Sequence, residues 1–495
     1  MRTGKLRWTF HTIPRPGEAG HETWPAEAWR TAGGANAWAG MVVDEKRGIV
    51  FAPTGSTAYD FFGGDRLGNN LYANSLIALD ANTGKRLWHF QAVHHDIWDR
   101  DFPSPPVLLT VRHNGKMVDA VAQATKQGFL FVFDRVTGKP LFPIEERPVP
   151  ASDVPGEKAA PTQPFALKPE PFARQLLTED MLTTRTPEAR AAVLSRFREM
   201  RSAGLFVPFA LDKQTVVFPG FDGGAEWGGQ AVDPSGVIYI NGTDVPYYSG
   251  LRPNKTTSAT PLGERIYVEQ CSGCHGVDRQ GTPPQMPTVV GVQFRRERPQ
   301  VDALIQSGTG RMPGFPQLSA EERASVIDYL MGASRMGDSD LHSLIGDMRG
   351  LPYLFSNYNR FNDPDGYPAV KPPWGTLSAI DLNTGEYRWR VPLGEYPALV
   401  AQGVLGTGSE NYGGPLVTRS GLVIIAATVF DRKMRAFDSR NGALLWQTEL
   451  PYTGLATPIT YMIDGRQYVL IATSGGRDPK GPKGSAYVAF SLPSR

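Results

Sequence analysis

One short unit constrains this chain more than anything else: an aspartate, a glycine four positions on, and a large ring four positions further. Asp80, Gly84 and Trp88 form one copy, Asp381, Gly385 and Trp389 a second, and Asp438, Gly442 and Trp446 a third. Asp134, Gly138 and Phe142 make a degenerate fourth. The clearest copies follow an apolar run such as Ser75-Leu76-Ile77-Ala78-Leu79. That order reads as a strand, a tight turn and a second strand carrying a ring. Widely spaced copies of one hairpin predict a repeat architecture, a β-propeller whose blades stack through the rings. An ordinary sandwich with coincidental hairpins is the alternative, and the identical offsets weigh against it.

Composition agrees. The 54 glycines and 42 prolines suit many short strands joined by turns rather than a helical protein. With 51 basic against 49 acidic residues the chain has no field for nucleic acid or a membrane surface. No apolar run is long enough to span a bilayer.

The texture changes between about Gly250 and Asp340. Cys271-Ser272-Gly273-Cys274-His275 uses the only 2 cysteines of the chain. C-x-x-C-H reads as covalent haem attachment, with both thiols one helical turn apart and the imidazole turned onto the iron. Met312, in Arg311-Met312-Pro313-Gly314, is the candidate sixth ligand, and His/Met ligation suits electron transfer. Structural zinc would need further Cys or His ligands nearby, and the nearest other histidines are His113 and His342. A thioredoxin-like pair would need a βαβ setting that the sequence does not offer. A helix over Gly263 to Gln270 leads into the motif, and a capping box at Ser319 to Glu322 starts another that runs to Leu330. The expected organisation is a propeller over 1–250 and 341–495, interrupted by a small all-α cytochrome c domain over 251–340.

The Cys271–His275 unit resembles that of c-type cytochromes, and this resemblance implies an exported, periplasmic protein, yet Met1-Arg2-Thr3-Gly4-Lys5-Leu6-Arg7-Trp8 has no apolar stretch behind its basic residues. Gly4 and Trp8 occupy the glycine and ring positions of the repeat, so the chain is expected to start inside a blade and to hold about five.

The Thr-Gly-x-x-x-Trp units resemble the tryptophan-docking repeats of PQQ-dependent dehydrogenases, the quinoproteins. Gly33-Gly34-Ala35-Asn36-Ala37-Trp38, Val93-His94-His95-Asp96-Ile97-Trp98-Asp99 and Thr125-Lys126-Gln127-Gly128 look closest to the membrane glucose dehydrogenase branch. The resemblance covers the chain outside the cytochrome insert. It implies an all-β, eight-bladed propeller, of which about three N-terminal blades would be missing here. It also implies PQQ, a flat tricyclic o-quinone with three carboxylates, together with Ca2+. On this resemblance Trp38 matches the indole beneath the quinone, Asp99 the catalytic base, and Lys126 the cation that hydrogen-bonds the quinone oxygens. Ser56 or Thr57 falls at a metal ligand, Asp101 resembles an extra metal carboxylate, Asn241 an amide facing the cofactor, and Glu226 a substrate-side carboxylate. The adjacent cysteine pair of methanol dehydrogenases is not seen. Gly475-Gly476-Arg477-Asp478 stands where glucose dehydrogenases place a histidine, so glucose is not implied as the substrate.

The resemblance implies oxidation of a sugar, polyol or alcohol, with electrons passing through haem c to a soluble cytochrome, a cupredoxin or a quinone. Two other readings differ in class: a cofactor-free propeller scaffold, and a pure electron-transfer cytochrome on a propeller support.

Overall fold

The computed structural model describes residues 3–254, 260–283, 285–332, 351–475, 477–478 and 480–492. Asp340, His342 and Gly476 lie outside them. The chain forms two compact units, Met1–Tyr248 with Arg360–Arg495, and Ser249–Asn359.

Among the described residues the first unit contains five antiparallel blades. Blade one is Val42–Asp44, Ile49–Pro53, Ser75–Asp80 and Arg86–Gln91, in that spatial order. Blade two is Val107–His113, Lys116–Ala124 and Leu130–Asp134. Ala231–Val232, Val237–Thr243, Gly375–Asp381 and Glu386–Pro392 make blade three. Leu416–Val417, Leu422–Ile425, Lys433–Asp438 and Leu444–Glu449 make blade four, and Ile459–Ile463, Arg466–Ser474 and Ser485–Ser491 blade five. The five-bladed expectation is met.

The repeat works as a docking device. Asp80 Oδ1 accepts the backbone N–H groups of Asn82 and Thr83 at 3.0 and 2.8 Å, which folds the turn. Gly84 comes next at φ 71°, a left-handed conformation that glycine takes at no steric cost. The ring of the preceding blade then covers that glycine: a Cβ on Gly138 would lie 2.6 Å from Trp88, and one on Gly442 2.8 Å from Trp389. Each indole donates its N–H to the carbonyl three residues before the glycine. Trp8 reaches Ala81 at 2.9 Å, Trp88 reaches Arg135 at 3.2 Å, and Trp389 reaches Ser439 at 2.9 Å. Phe142 fills the same place over Gly385 without a donor. The ladder slips by one residue just before each tryptophan, between Ala78 and Leu79, Ala379 and Ile380, and Ala436 and Phe437. Such bulges turn a side chain out of the sheet.

Between the docking points the blades bury alternate residues. In Val237–Thr243, Ile238 and Ile240 pack with blade two, whereas Val237 and Tyr239 pack with blade four. Each such aliphatic side chain contributes about 1.5–3 kcal/mol.

Because the strands alternate in direction, the Asp…Gly turns all leave one edge of the sheets. The connections from second to third strand, and from one blade to the next, leave the opposite edge. That edge gathers Ser56, Thr57, Asp99, Asp101 and Lys126.

In the second unit Leu251–Pro253 pairs with Tyr353–Phe355, so the chain enters and leaves it side by side. Leu262–Ile266 is α-helical, widens to a π-helical stretch over Tyr267–Cys271 and closes as Ser272–His275. Ala320–Leu330 starts at Ser319, whose hydroxyl accepts the Glu322 N–H while the Glu322 carboxylate accepts the Ser319 N–H. The two helices cross at Gly263, where a Cβ would lie 2.6 Å from the Ser325 carbonyl carbon. A further helix, Arg298–Ser307, was not anticipated, although Glu297 and Gln300 form a capping box around Pro299. Ile266, Tyr267, Val301, Ile305, Val326 and Leu330 form the core. Among the described residues no helix is long and apolar enough to cross a membrane.

Candidate functional site

The segment 92–106 links blade one to blade two, and Asp96 holds it in shape. Its carboxylate accepts the backbone N–H groups of Trp98 at 2.8 Å and Arg100 at 2.7 Å, the Asn74 amide at 2.8 Å and the Ser56 hydroxyl. Trp98 anchors the loop from inside by donating to the Val207 carbonyl at 2.8 Å. His95 is buried against Glu157, Nε2 to Oε1 2.8 Å. The His-His-Asp-x-Trp part of the motif is therefore scaffolding that sets the backbone of Asp99. Asp99 itself stands at φ 58°, a left-handed conformation that aspartate tolerates better than most residues.

Lys126, on the connection between the second and third strands of blade two, reaches back into this loop. Its ammonium lies 2.9 Å from Asp99 Oδ1 and 3.0 Å from Asp101 Oδ2. The stem is clamped by Gly223, where a Cβ would come within 2.7 Å of Lys126 Cγ, and the Lys126 carbonyl accepts the Gly224 N–H at 2.7 Å. Two carboxylates, the buried Asp101 and the partly buried Asp99, thus share one ammonium. Burial opposes charge on Lys126, yet Asp101 and Asp99 hold it protonated well above the ordinary range. Burial also works against Asp101, but Lys126 and the Ser56 N–H prevail and keep it ionised below the usual range. Asp99 goes the other way. Burial, reinforced by the charges of Asp101 and Asp60, outweighs Lys126 and raises it well above the ordinary carboxylate value. One member of the pair is a fixed anion and the other is poised to take a proton.

Trp38 is not a blade-core residue: it is 44 % exposed. A Cβ on Gly55 would lie 2.9 Å from Trp38 Nε1 and would collide with the Asp101 carboxylate, so the absent side chain brings indole and carboxylate together. Ser56 and Thr57, which the sequence leaves undivided, differ here. The Ser56 hydroxyl is engaged by Asp96 and Asn74, whereas Thr57 Oγ1 is buried with no hydrogen-bond partner among the described residues. Asn241, at the end of the second strand of blade three, donates to Asn411 Oδ1 at 2.6 Å, and its own Oδ1 is buried and unmet among the described residues. The Glu226 charge acts on Lys126.

Sequence reasoning missed Asp60. Burial, with the charges of Asp101 and Asp96, raises it to about 7. It missed Asn74 and Asn411 as well. All three sit on connections at the same sheet edge, and only the blade topology would have singled them out.

In the second unit His275 Nδ1 lies 2.8 Å from the Pro287 carbonyl. A carbonyl only accepts, so Nδ1 carries the proton and the Nε2 lone pair is left for a metal. Burial, then the neighbouring Cys274, pushes the Cys271 thiol up to about 12. Met312 is partly buried against the same core as Ile266 and Val301. Among the described residues no three His, Cys, Asp or Glu side chains are grouped to cage a metal ion.

Comparison with known proteins agrees with this geometry. The model of the glucose/ethanol/alcohol dehydrogenase β-propeller domain, a PQQ family, matches residues 1–295 and 299–469, and the cytochrome c model matches 261–334. Quinate/shikimate dehydrogenase (quinone) of Acinetobacter baylyi is 32% identical over 99% of this chain and 52% of its own. Quinoprotein glucose dehydrogenase of Escherichia coli is 32% identical over 100% of this chain and 53% of its own. The chain therefore spans about half the length of the curated relatives it matches. The crystal structure of quinohemoprotein alcohol dehydrogenase from Comamonas testosteroni superposes with a TM-score of 0.53 at 20% identity, over 98% of this chain and 54% of that one. Blade docking, the shared-ammonium carboxylate pair and the two family matches converge: this chain belongs to the PQQ-dependent dehydrogenase propeller family and carries a cytochrome c domain.

Proposed function

We propose that the protein is a periplasmic quinoprotein dehydrogenase that oxidises a hydroxyl group of a sugar, polyol, alcohol or related small molecule. The observation that carries this reading is Lys126 held between Asp99 and Asp101 beside the exposed face of Trp38.

Asp99 accepts the proton of the substrate hydroxyl, a task suited to a carboxylate whose affinity for protons is raised. Lys126 has three N–H donors, of which Asp99 and Asp101 take two. The third stabilises negative charge developing on a nearby oxygen. Asp101 stays ionised and keeps Lys126 charged through the cycle. Trp38 offers a flat apolar face for a conjugated ring, worth on the order of 1 kcal/mol beyond burial. Thr57 Oγ1 and Asn241 Oδ1 are the unmet oxygens that a cation and a cofactor donor would use, and calcium accepts such mixed oxygen sets. In the second unit Cys271, Cys274, His275 and Met312 would hold haem c. When bound, PQQ would supply a two-electron acceptor, Ca2+ a Lewis acid beside it, and haem c a one-electron carrier toward an outside cytochrome, cupredoxin or quinone.

The Asp99→Asn variant tests the reading. Turnover of the preferred alcohol or sugar in the PQQ- and Ca2+-supplied protein is expected to fall by about 10^2- to 10^4-fold, with the haem spectrum unchanged. Full turnover in that variant would remove Asp99 as the base.

A further inference from the structure

Arg477 lies on the connection between the second and third strands of blade five, the same sheet edge that carries Lys126 and Thr57. Its guanidinium carbon sits 3.4 Å from the ring centroid of Tyr412, a stacked cation–π contact. Its Nη1 is shielded from solvent and meets no acceptor among the described residues. A buried guanidinium N–H without a partner is costly, and the group cannot shed its charge.

The acids around it are already engaged. Asp222 accepts the hydroxyls of Tyr247 at 2.9 Å and Tyr412 at 2.8 Å. Glu410 pairs with Arg360, which lies 3.4 Å from Asp222. Asp478 accepts the Lys480 N–H at 2.9 Å, within its own loop. Among the described residues these acids leave Arg477 Nη1 without a partner.

Its position links it to the reaction site. The Tyr412 carbonyl accepts the Gly228 N–H at 3.2 Å, two residues beyond Glu226, whose charge bears on Lys126. The residue before Tyr412, Asn411, holds Asn241 at 2.6 Å. The wall that orders Asn241 therefore also presents Arg477.

We infer that Arg477, stacked on Tyr412, receives a carboxylate of the substrate, so that the hydroxyl oxidised at Asp99 belongs to a hydroxylated carboxylic acid. This rests on the dehydrogenase reading and narrows it. Arginine suits the task because its planar fork meets a carboxylate with two parallel hydrogen bonds, and Tyr412 fixes the plane of the fork.

The test compares a cyclic hydroxy acid such as quinate with its primary amide, in the PQQ- and Ca2+-supplied protein. The wild type is expected to favour the acid by roughly 30- to 100-fold in kcat/KM, the scale of a charge-assisted hydrogen bond. In Arg477→Gln the acid-to-amide ratio should collapse toward one, mainly through KM, with Arg477→Lys in between. The PQQ concentration giving half activity should not move. If acid and amide fall together in Arg477→Gln and more PQQ is needed, the guanidinium serves a cofactor carboxylate and the inference is overturned. Equal turnover of acid and amide by the wild type also overturns it, and leaves the dehydrogenase reading standing. No turnover of any hydroxylated compound would sink that reading instead. Thermal shift then decides the inference: quinate must stabilise the wild type and not Arg477→Gln, and equal shifts would refute it.

Discussion

At Asp99 and Lys126 the chemistry depends on an asymmetry that composition does not contain. Both Asp99 and Asp101 touch one ammonium, but only Asp101 also receives a backbone N–H, from Ser56. That donor adds to the Lys126 charge in keeping Asp101 ionised, whereas burial leads in raising Asp99, the group that changes state. The hydroxyls of Ser56 and Thr57 separate for a similar reason, since one is spent on Asp96 and the other is not. Thr57→Val should raise the Ca2+ concentration for half-maximal activity by roughly 10-fold, whereas Ser56→Ala should act on stability by loosening Asp96. Equal calcium requirements in wild type and Thr57→Val would refute the assignment. Asp60 makes a pH prediction. Its carboxyl is raised to about 7, chiefly by burial and then by Asp101 and Asp96. A carboxyl raised on folding favours the folded state while it is protonated, and that advantage is lost as pH climbs from its ordinary range through 7. In chelator-treated protein, wild type should lose melting temperature relative to Asp60→Asn between pH 5 and pH 8, and parallel pH curves would contradict it. These distinctions lay outside the reach of sequence. A resemblance aligned Asp99, Lys126 and Trp38, but which neighbour donates to which carboxylate is decided by loops from different blades. Asp60 matched nothing that was sought.

Among the elements, the blades were legible because their information is local. Asp80 to Gly84 makes its own turn, and Trp88 lies a fixed distance along the next strand. The docking hydrogen bond was not legible, because the acceptor of the Trp88 N–H is Arg135 of the following blade. The helix over Arg298–Ser307 was missed for another reason: its start, Glu297-Arg298-Pro299-Gln300, caps through glutamate rather than the serine or threonine sought. Trp389 gives the measurable consequence. Trp389→Phe keeps most of the packing over Gly442 and loses the bond to Ser439, at a cost of about 1 kcal/mol. Trp389→Ala empties a buried site and should cost about 3–5 kcal/mol. Urea unfolding followed by near-UV circular dichroism ranks the two, and equal losses would mean that the indole does not hold blades three and four together.

The whole molecule joins two units of different construction, a set of stacked blades and a small helical domain closed by paired strands. Each was anticipated from a different kind of signal, the blades from periodicity and the helical unit from a five-residue motif. Neither signal speaks to what the two accomplish together. That they form one redox path is the central claim, and pre-steady-state absorbance measures it. When substrate is mixed anaerobically with oxidised protein carrying PQQ, Ca2+ and haem, the reduced haem band should grow at a rate set by substrate concentration. It should fail to grow in Asp99→Asn or without PQQ. A haem that stays oxidised while an added dye is reduced by substrate would contradict the account.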